Sequence, residues 1–201
     1  MENERKTDRS AGMGMDEHRL SDILLASQIK ATDIYETPPQ IIWIDNSTIA
    51  TLGNFSASTG KAKSKKTFNV SALVAASLAG KQVLNYRAHL PEGKQRILYV
   101  DTEQSRFHCR SVLERILRLA GLPTTTDPEN LDFFCLREYS PSVRIEVIDY
   151  ALRQQKGYGL VIIDGIRDLM LDINNAGESV EVINRMMEWS SRYDLHIHCV
   201  L

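Results

Sequence analysis

Three features of the sequence predict a three-layer α/β architecture, in which a mainly parallel central sheet carries helices on both faces. Short segments such as Leu160-Val161-Ile162-Ile163 are apolar throughout, as strands buried on both faces must be. Amphipathic stretches of helical period separate these strands, so strand and helix alternate along most of the chain. Two of the strands end in an acid, at Asp101 and Asp164, and ligands of open α/β sheets bind beyond the carboxyl ends of the strands.

The first 20 residues are polar, show no apolar period and are expected to lack fixed structure. Residues 21–39 are expected to form a short helix and a linker. Ile23, Leu24, Leu25 and Ile29 share one face of a helix over 21–31 with Ser21 as its cap, and Pro38-Pro39 breaks the chain. Residues 41–44 and 48–52 are β-rich. Residues 54–57 then lead into a Ser/Thr/Gly/Lys loop, and Phe68, Val70, Leu73, Val74 and Leu78 mark a helix over 66–79. A strand over 96–101 is followed by a helix over 105–120 that Gly121 and Pro123 stop. Strands follow over 132–136, 160–164 and 195–201, with helices over 143–155 and 180–192 between them.

The 201 residues are 43% hydrophobic and 25% charged, the make-up of an ordinary globular protein with a sizeable core. A formal charge of −2 excludes a surface that grips a polyanion all over, so any nucleic-acid contact must be local. The three cysteines, Cys109, Cys135 and Cys199, are odd in number and lack metal-ligand spacing, which argues against a disulfide scaffold. The charged start, Met1-Glu2-Asn3-Glu4-Arg5-Lys6, lacks the apolar segment of a signal peptide, and no apolar run approaches the roughly 20 residues that span a bilayer. A cytoplasmic protein without a membrane partner is expected.

Gly60-Lys61-Ala62-Lys63-Ser64-Lys65-Lys66-Thr67 is the most informative stretch. A phosphate-binding loop needs a Gly for a tight turn, four variable residues, usually a second Gly, then Lys and Ser or Thr. Alignment on Lys66-Thr67 puts Gly60 at the first glycine and Lys65 where the second usually stands. The frame on Lys63-Ser64 would replace both glycines with Ala57 and Ala62. Backbone N–H groups of such a loop and of the helix behind it cradle phosphates, while the lysine reaches the β/γ-phosphates and the threonine ligates Mg²⁺. Taken alone the stretch is equally a solvated lysine-rich loop; β residues before it and an amphipathic helix after it favour the phosphate loop. Roughly a hundred residues on, Asp164 ends an apolar strand where a second, Mg²⁺-orienting acid belongs. The other strand end, Asp101-Thr102-Glu103-Gln104-Ser105, offers a carboxylate to polarise an attacking water, or a helix-capping cluster, or both.

The order Gly60…Lys66-Thr67, Asp101-Thr102-Glu103, Leu160-Val161-Ile162-Ile163-Asp164 resembles the RecA/DnaB-like P-loop ATPases. Within them it is most similar to the RepA-like hexameric helicase ATPases of plasmids, phages and mobile elements, and its loop resembles a variant seen in Bacteroidetes mobile-element proteins. The resemblance implies a RecA-like P-loop NTPase core over 40–201 that binds ATP and Mg²⁺, hydrolyses ATP, assembles into a homo-oligomeric ring such as a hexamer, and acts on single-stranded DNA. Lys66 and Thr67 would be the Walker A lysine and magnesium-ligating threonine, with the rest of the loop, Gly60 to Lys65, around the phosphates. Asp164 would be the Walker B aspartate, and Glu103, preferred to Asp101, the catalytic glutamate. Arg106 and Arg110 fall where such proteins place a side chain beside the adenine. Arg167 could meet a nucleic-acid phosphate or pair with Asp168 or Asp172. In these ATPases the last strand lies beside the P-loop strand, and a phosphate sensor and basic finger follow it. These would lie past Leu201, so the core is expected to be incomplete and the hydrolysis of this chain weak. His196 and His198 share one face of that strand with no third ligand indicated, which reads as metal-free histidines. Two alternatives to a motor ATPase remain: a DNA-binding accessory without effective hydrolysis and a small phosphotransferase.

Overall fold

A computed structural model describes residues 16–61, 65–172 and 176–201. The chain divides into two compact units, Met1–Thr37 and Pro38–Leu201. The first contains helix α1 (Glu17–Ser27). This helix starts four residues before the predicted Ser21 cap, because Asp16 caps it by accepting the His18 N–H (3.3 Å) and Glu17 places a negative charge in the first turn. It ends before Ile29, since Gln28 is already extended and the Asp33 carboxylate accepts the Lys30 N–H in a following turn.

The second unit runs β1 (Gln40–Ile44), β2 (Ser47–Thr51), β3 (Phe55–Ser58), α2 (Lys66–Ala79), β4 (Tyr86–Ala88), β5 (Arg96–Asp101), α3 (Arg106–Ala120), β6 (Leu131–Cys135), α4 (Pro141–Gln154), β7 (Tyr158–Asp164), a 3-10 turn (Ile166–Leu169), α5 (Ala176–Arg192) and β8 (His196–Val200). Five strands make one wholly parallel sheet in the order β3-β8-β7-β5-β6. The β-rich stretch near residue 40 does not join it. β1, β2 and β4 form a separate antiparallel sheet in the order β2-β1-β4. β4 has only three residues, too few to show a period, and the sequence does not reveal it.

Side chains alternate across the parallel sheet, as the period of two requires. Ile97, Tyr99, Leu160 and Ile162 face Val70, Leu73 and Val74 of α2 and Val112 and Ile116 of α3; Ile41, Ile42 and Ala50 of the small sheet join this cluster. Leu98, Val100, Val161 and Ile163 face Ile148 and Leu152 of α4 and Val182, Met186 and Trp189 of α5. Each large side chain removed from water in this way contributes about 1.5–3 kcal/mol. Helices on both faces and β7 buried along its whole length are what the apolar strand pattern predicts. No helix among the described residues is long and apolar enough to cross a membrane.

β3 is an edge strand of four residues without a buried member. Its anchor is a chain of hydrogen bonds to β8. His196 Nδ1 lies 2.9 Å from the Thr51 carbonyl and must carry the proton, so Nε2 accepts from the Ser56 hydroxyl (2.8 Å). Ser56 then accepts from His198 Nδ1 (2.8 Å), which leaves His198 Nε2 to accept from Ser58 (2.9 Å). Every bond points the same way, and both rings are neutral. Burial pushes both imidazoles down to about 4. Above pH 6.5 neither the folded nor the unfolded chain charges them; below it only the unfolded chain takes up the protons. Stability is therefore expected to fall between pH 6.5 and 4, by about 3 kcal/mol per histidine at the lower limit. An NMR titration checks this: an imidazole at either position titrating near 6.5 would exclude the neutral chain.

Candidate nucleotide site

The parallel register aligns Ser58, Val200, Asp164 and Asp101 in a row across the carboxyl edge of the sheet. β3 feeds the loop that α2 closes, and β5 and β7 bring the two acids. Helix α2 has no side-chain cap from its N-cap residue and no acid in its first turn, so among the described residues its first N–H groups have no side-chain acceptor. Its N-cap is Lys65, held in the left-handed region at φ 63°, ψ 28°. That conformation explains why a glycine usually stands here: a side chain costs about 1–2 kcal/mol in this region. Lys65 is exposed, Lys61 likewise, and the Lys66 ammonium donates to the Gly60 carbonyl across the loop (2.7 Å). Ala62, Lys63 and Ser64 lie outside the described residues.

Asp164 is 3% exposed. Its Oδ2 accepts from the hydroxyl of Tyr99 (2.9 Å), a fully buried ring stacked on Phe133 at 4.3 Å, and the Thr67 hydroxyl also reaches its carboxylate. Burial pushes Asp164 up to about 6, against the pull of the Tyr99 and Thr67 hydrogen bonds, with the charges of Asp101 and Glu103 adding to the rise. A carboxylate kept at such a cost beside a threonine hydroxyl is a donor set suited to a hard divalent cation.

Asp101 is wholly buried and occupied by its own turn. Oδ1 accepts the N–H groups of Glu103 (3.1 Å) and Gln104 (2.8 Å), and Oδ2 accepts the Gln104 amide (3.0 Å). Asp101 thus closes the turn before α3 but does not cap the helix, because the amides it accepts precede the first helical residue, Arg106. Ser105 is the N-cap residue of α3, but its hydroxyl pairs with His108 rather than with the helix. Glu103, two residues on, is exposed and has its carboxylate raised by partial burial and by Asp168 and Asp101, while Lys66 and Arg167 draw it down. Lys66, Thr67, Glu103 and Asp164 therefore share one electrostatic neighbourhood.

Sequence reasoning misses the residues that hold the acids in place. The Thr102 hydroxyl lies 2.8 Å from the Gly165 carbonyl oxygen, 3.0 Å from that of Asp164 and 3.1 Å from Asp168 Oδ2, tying the end of β5 to the end of β7. Gly165, at φ 101°, permits this approach, since a Cβ there would strike the Thr102 hydroxyl and the Glu103 side chain. Arg144 of α4, nearly buried, donates to the carbonyls of Leu136 (3.0 Å), Arg137 (2.7 Å) and Asp168, pinning the 3-10 turn. Asp168 thus turns to Thr102, and Arg167 lies near Glu103. Of these residues only Gly165, directly after the strand acid, carries a local sequence signal. Arg110 of α3 is held by Glu114 (3.1 Å) and the Thr124 carbonyl (2.9 Å), and Arg106 is exposed at the first residue of the helix. Cys109 and Cys135 both point at the Gln104 carbonyl behind the Glu103 turn, and burial pushes the Cys109 thiol up.

The five-stranded parallel sheet between two helical layers, with β8 between the loop-bearing β3 and the acid-bearing β7, is a RecA-like P-loop NTPase fold. No curated protein matches the sequence. Residues 20–201 match the AAA domain family, so the chain belongs to the AAA-type P-loop ATPases and is a nucleotide-binding protein of that kind.

Proposed function

We propose that this protein is a Mg²⁺-dependent, ATP-hydrolysing motor ATPase of the RecA/RepA-like kind. In this reading it works in the cytoplasm as a homo-oligomeric ring on single-stranded DNA, in replication or mobilisation of a mobile element. The observation that carries the nucleotide part is the convergence of Lys66, Thr67, Glu103 and Asp164 at one edge of the sheet, beside an uncapped helix N-terminus. The N–H groups at the start of α2 and the Gly60–Lys65 backbone would hold the phosphates. Lys66 would exchange the Gly60 carbonyl for a phosphate oxygen, so that its ammonium meets an anionic acceptor in place of a neutral one. Thr67 and Asp164 would hold Mg²⁺, which when bound offsets charge on the β- and γ-phosphates. Glu103, with its carboxylate raised, would orient and polarise the attacking water.

Lys65 favours a second reading. A lysine strained into the left-handed region at a glycine position supports a DNA-binding accessory, nucleotide-gated or nucleotide-blind, without effective hydrolysis. Calorimetry of Mg-ATP with the parent chain and Lys66→Ala tests the proposal. One saturable site in the parent, weakened at least 100-fold in the variant, is expected from the loss of a charge-assisted phosphate contact in a partly buried site. No binding in the parent would overturn the ATPase reading and leave the accessory one.

A further inference from the structure

We propose that the solvent face of the three-stranded sheet is a second site, for single-stranded nucleic acid, in which Trp43 stacks a base and Lys81 and Arg87 hold the flanking phosphates. Strand pairing builds the site. β1 and β4 set Trp43 opposite Arg87, and the Arg87 guanidinium lies 4.8 Å from the indole centroid. Along β4 and the residue after it, Tyr86 and Ala88 turn into the core while Arg87 and His89 are exposed. The indole is oriented by its N–H, which donates to the Gln40 side-chain oxygen (3.2 Å), and that oxygen also accepts from Thr48 (2.7 Å). Beside it lies a hollow of about 400 Å³ lined by Trp43, Lys81, Gln82, Arg87 and His89 together with Gly80 and Ala88, and no carboxylate lines it. That volume is at the small end of ligand pockets, the scale of a single nucleotide.

Five arginines along α3, α4 and α5 are paired four residues away: Arg110 and Arg118 with Glu114, Arg153 with Asp149, Arg185 with Glu181, Arg192 with Glu188. Among the described residues Lys81 and Arg87 form no ion pair. Unpaired cations around an aromatic face suit a ligand that alternates anionic and planar groups. Single-stranded nucleic acid does so at every residue, whereas an acidic peptide offers charge without the plane. The sequence hides the patch because its aromatic and its cations lie about 40 residues apart and meet only through the antiparallel register. This surface would meet the DNA of the proposed function and rests on that function for its ligand, but it does not use the nucleotide site.

Intrinsic fluorescence gives a direct readout, since the only other tryptophan, Trp189, is 2% exposed. Titration of the full chain with an oligothymidylate of about 20 nucleotides is expected to quench Trp43, and Trp43→Ala to weaken binding roughly 10-fold. Trp43→Phe, which keeps a stacking face, should restore most of that affinity. Lys81→Ala and Arg87→Ala should each flatten the salt dependence of binding by about 0.7 in log–log slope, the counterion release of one single-strand phosphate contact. Lys66→Ala should leave all of this unchanged, so failure here and failure of the ATPase reading are distinguishable. Absence of binding at low salt, binding without quenching, or variants indistinguishable from the parent would overturn the site. Equal quenching by polyglutamate would overturn its assignment to nucleic acid.

Discussion

Glu103→Gln is expected to bind Mg-ATP within about threefold of the parent and to release phosphate about 10²–10⁴ times more slowly, the range a positioned general base supplies. The expectation rests on a division of labour between two neighbouring acids. Asp101 is wholly buried and both its oxygens accept from the Glu103 and Gln104 amides, so that carboxylate faces into its own turn and away from an attacking water. Glu103 is the acid that the turn presents outward, opposite Lys66. Burial, Asp168 and Asp101 raise its proton affinity, which makes it a stronger base than a free carboxylate. The amide of the substituted side chain cannot take a proton but fills the same space, so binding should survive. Single-turnover phosphate release and nucleotide calorimetry on the same preparation separate the two steps. Undiminished hydrolysis in the variant would remove Glu103 from the role. Binding lost together with hydrolysis would make it a structural partner of Lys66.

The strength of the sequence signal follows how local its physical cause is. β5 and α2 begin and end where residue pattern places them, because their apolar runs and flanking polar residues act within a few positions. The alternation of wholly apolar strands with amphipathic helices likewise predicts the layers. Long-range pairing is different. Nothing near residue 40 says that β1 will choose β4 rather than the parallel sheet, so the small sheet emerges only in three dimensions. The same holds at the site. Lys66, Thr67, Glu103 and Asp164 can be nominated from motif spacing, but their supports are contacts across the fold: Tyr99 on Asp164, Thr102 on the turn after β7, Arg144 on the loop after β6. The start of α1 shows a smaller version of the same effect. Two competing caps, Asp16 and Ser21, stand within one turn and a half, and the acid with a second acid behind it sets the boundary.

Asp164→Asn is expected to stabilise the nucleotide-free protein while weakening its Mg²⁺-dependent nucleotide binding on the order of 100-fold or more, the several kcal/mol a metal contributes at such a site. The stabilisation follows from the sign of the shift. Burial holds the folded carboxyl near pKa 6, above its ordinary 3.8, so the favourable contribution of Asp164 is complete below pH 3.8 and is lost as pH rises through 6. At pH 7.5 the folded chain therefore carries an ionised, 3%-exposed carboxylate whose hydrogen-bond partners among the described residues are the Tyr99 and Thr67 hydroxyls. Asparagine removes the charge, and its oxygen can still accept the Tyr99 hydroxyl. A shift of this size corresponds to about 1–3 kcal/mol, or a rise of roughly 3–8 °C in Tm for a chain of this length. The gain should shrink at pH 5 and disappear near pH 4, where wild-type Asp164 is itself protonated. Thermal unfolding of both proteins at three pH values decides the matter. A variant less stable than wild type at pH 7.5 would mean that the ionised carboxylate supports the fold. The expected result, a protein that gains stability by losing this charge, would mark Asp164 as an acid retained for what it binds and not for what it holds together.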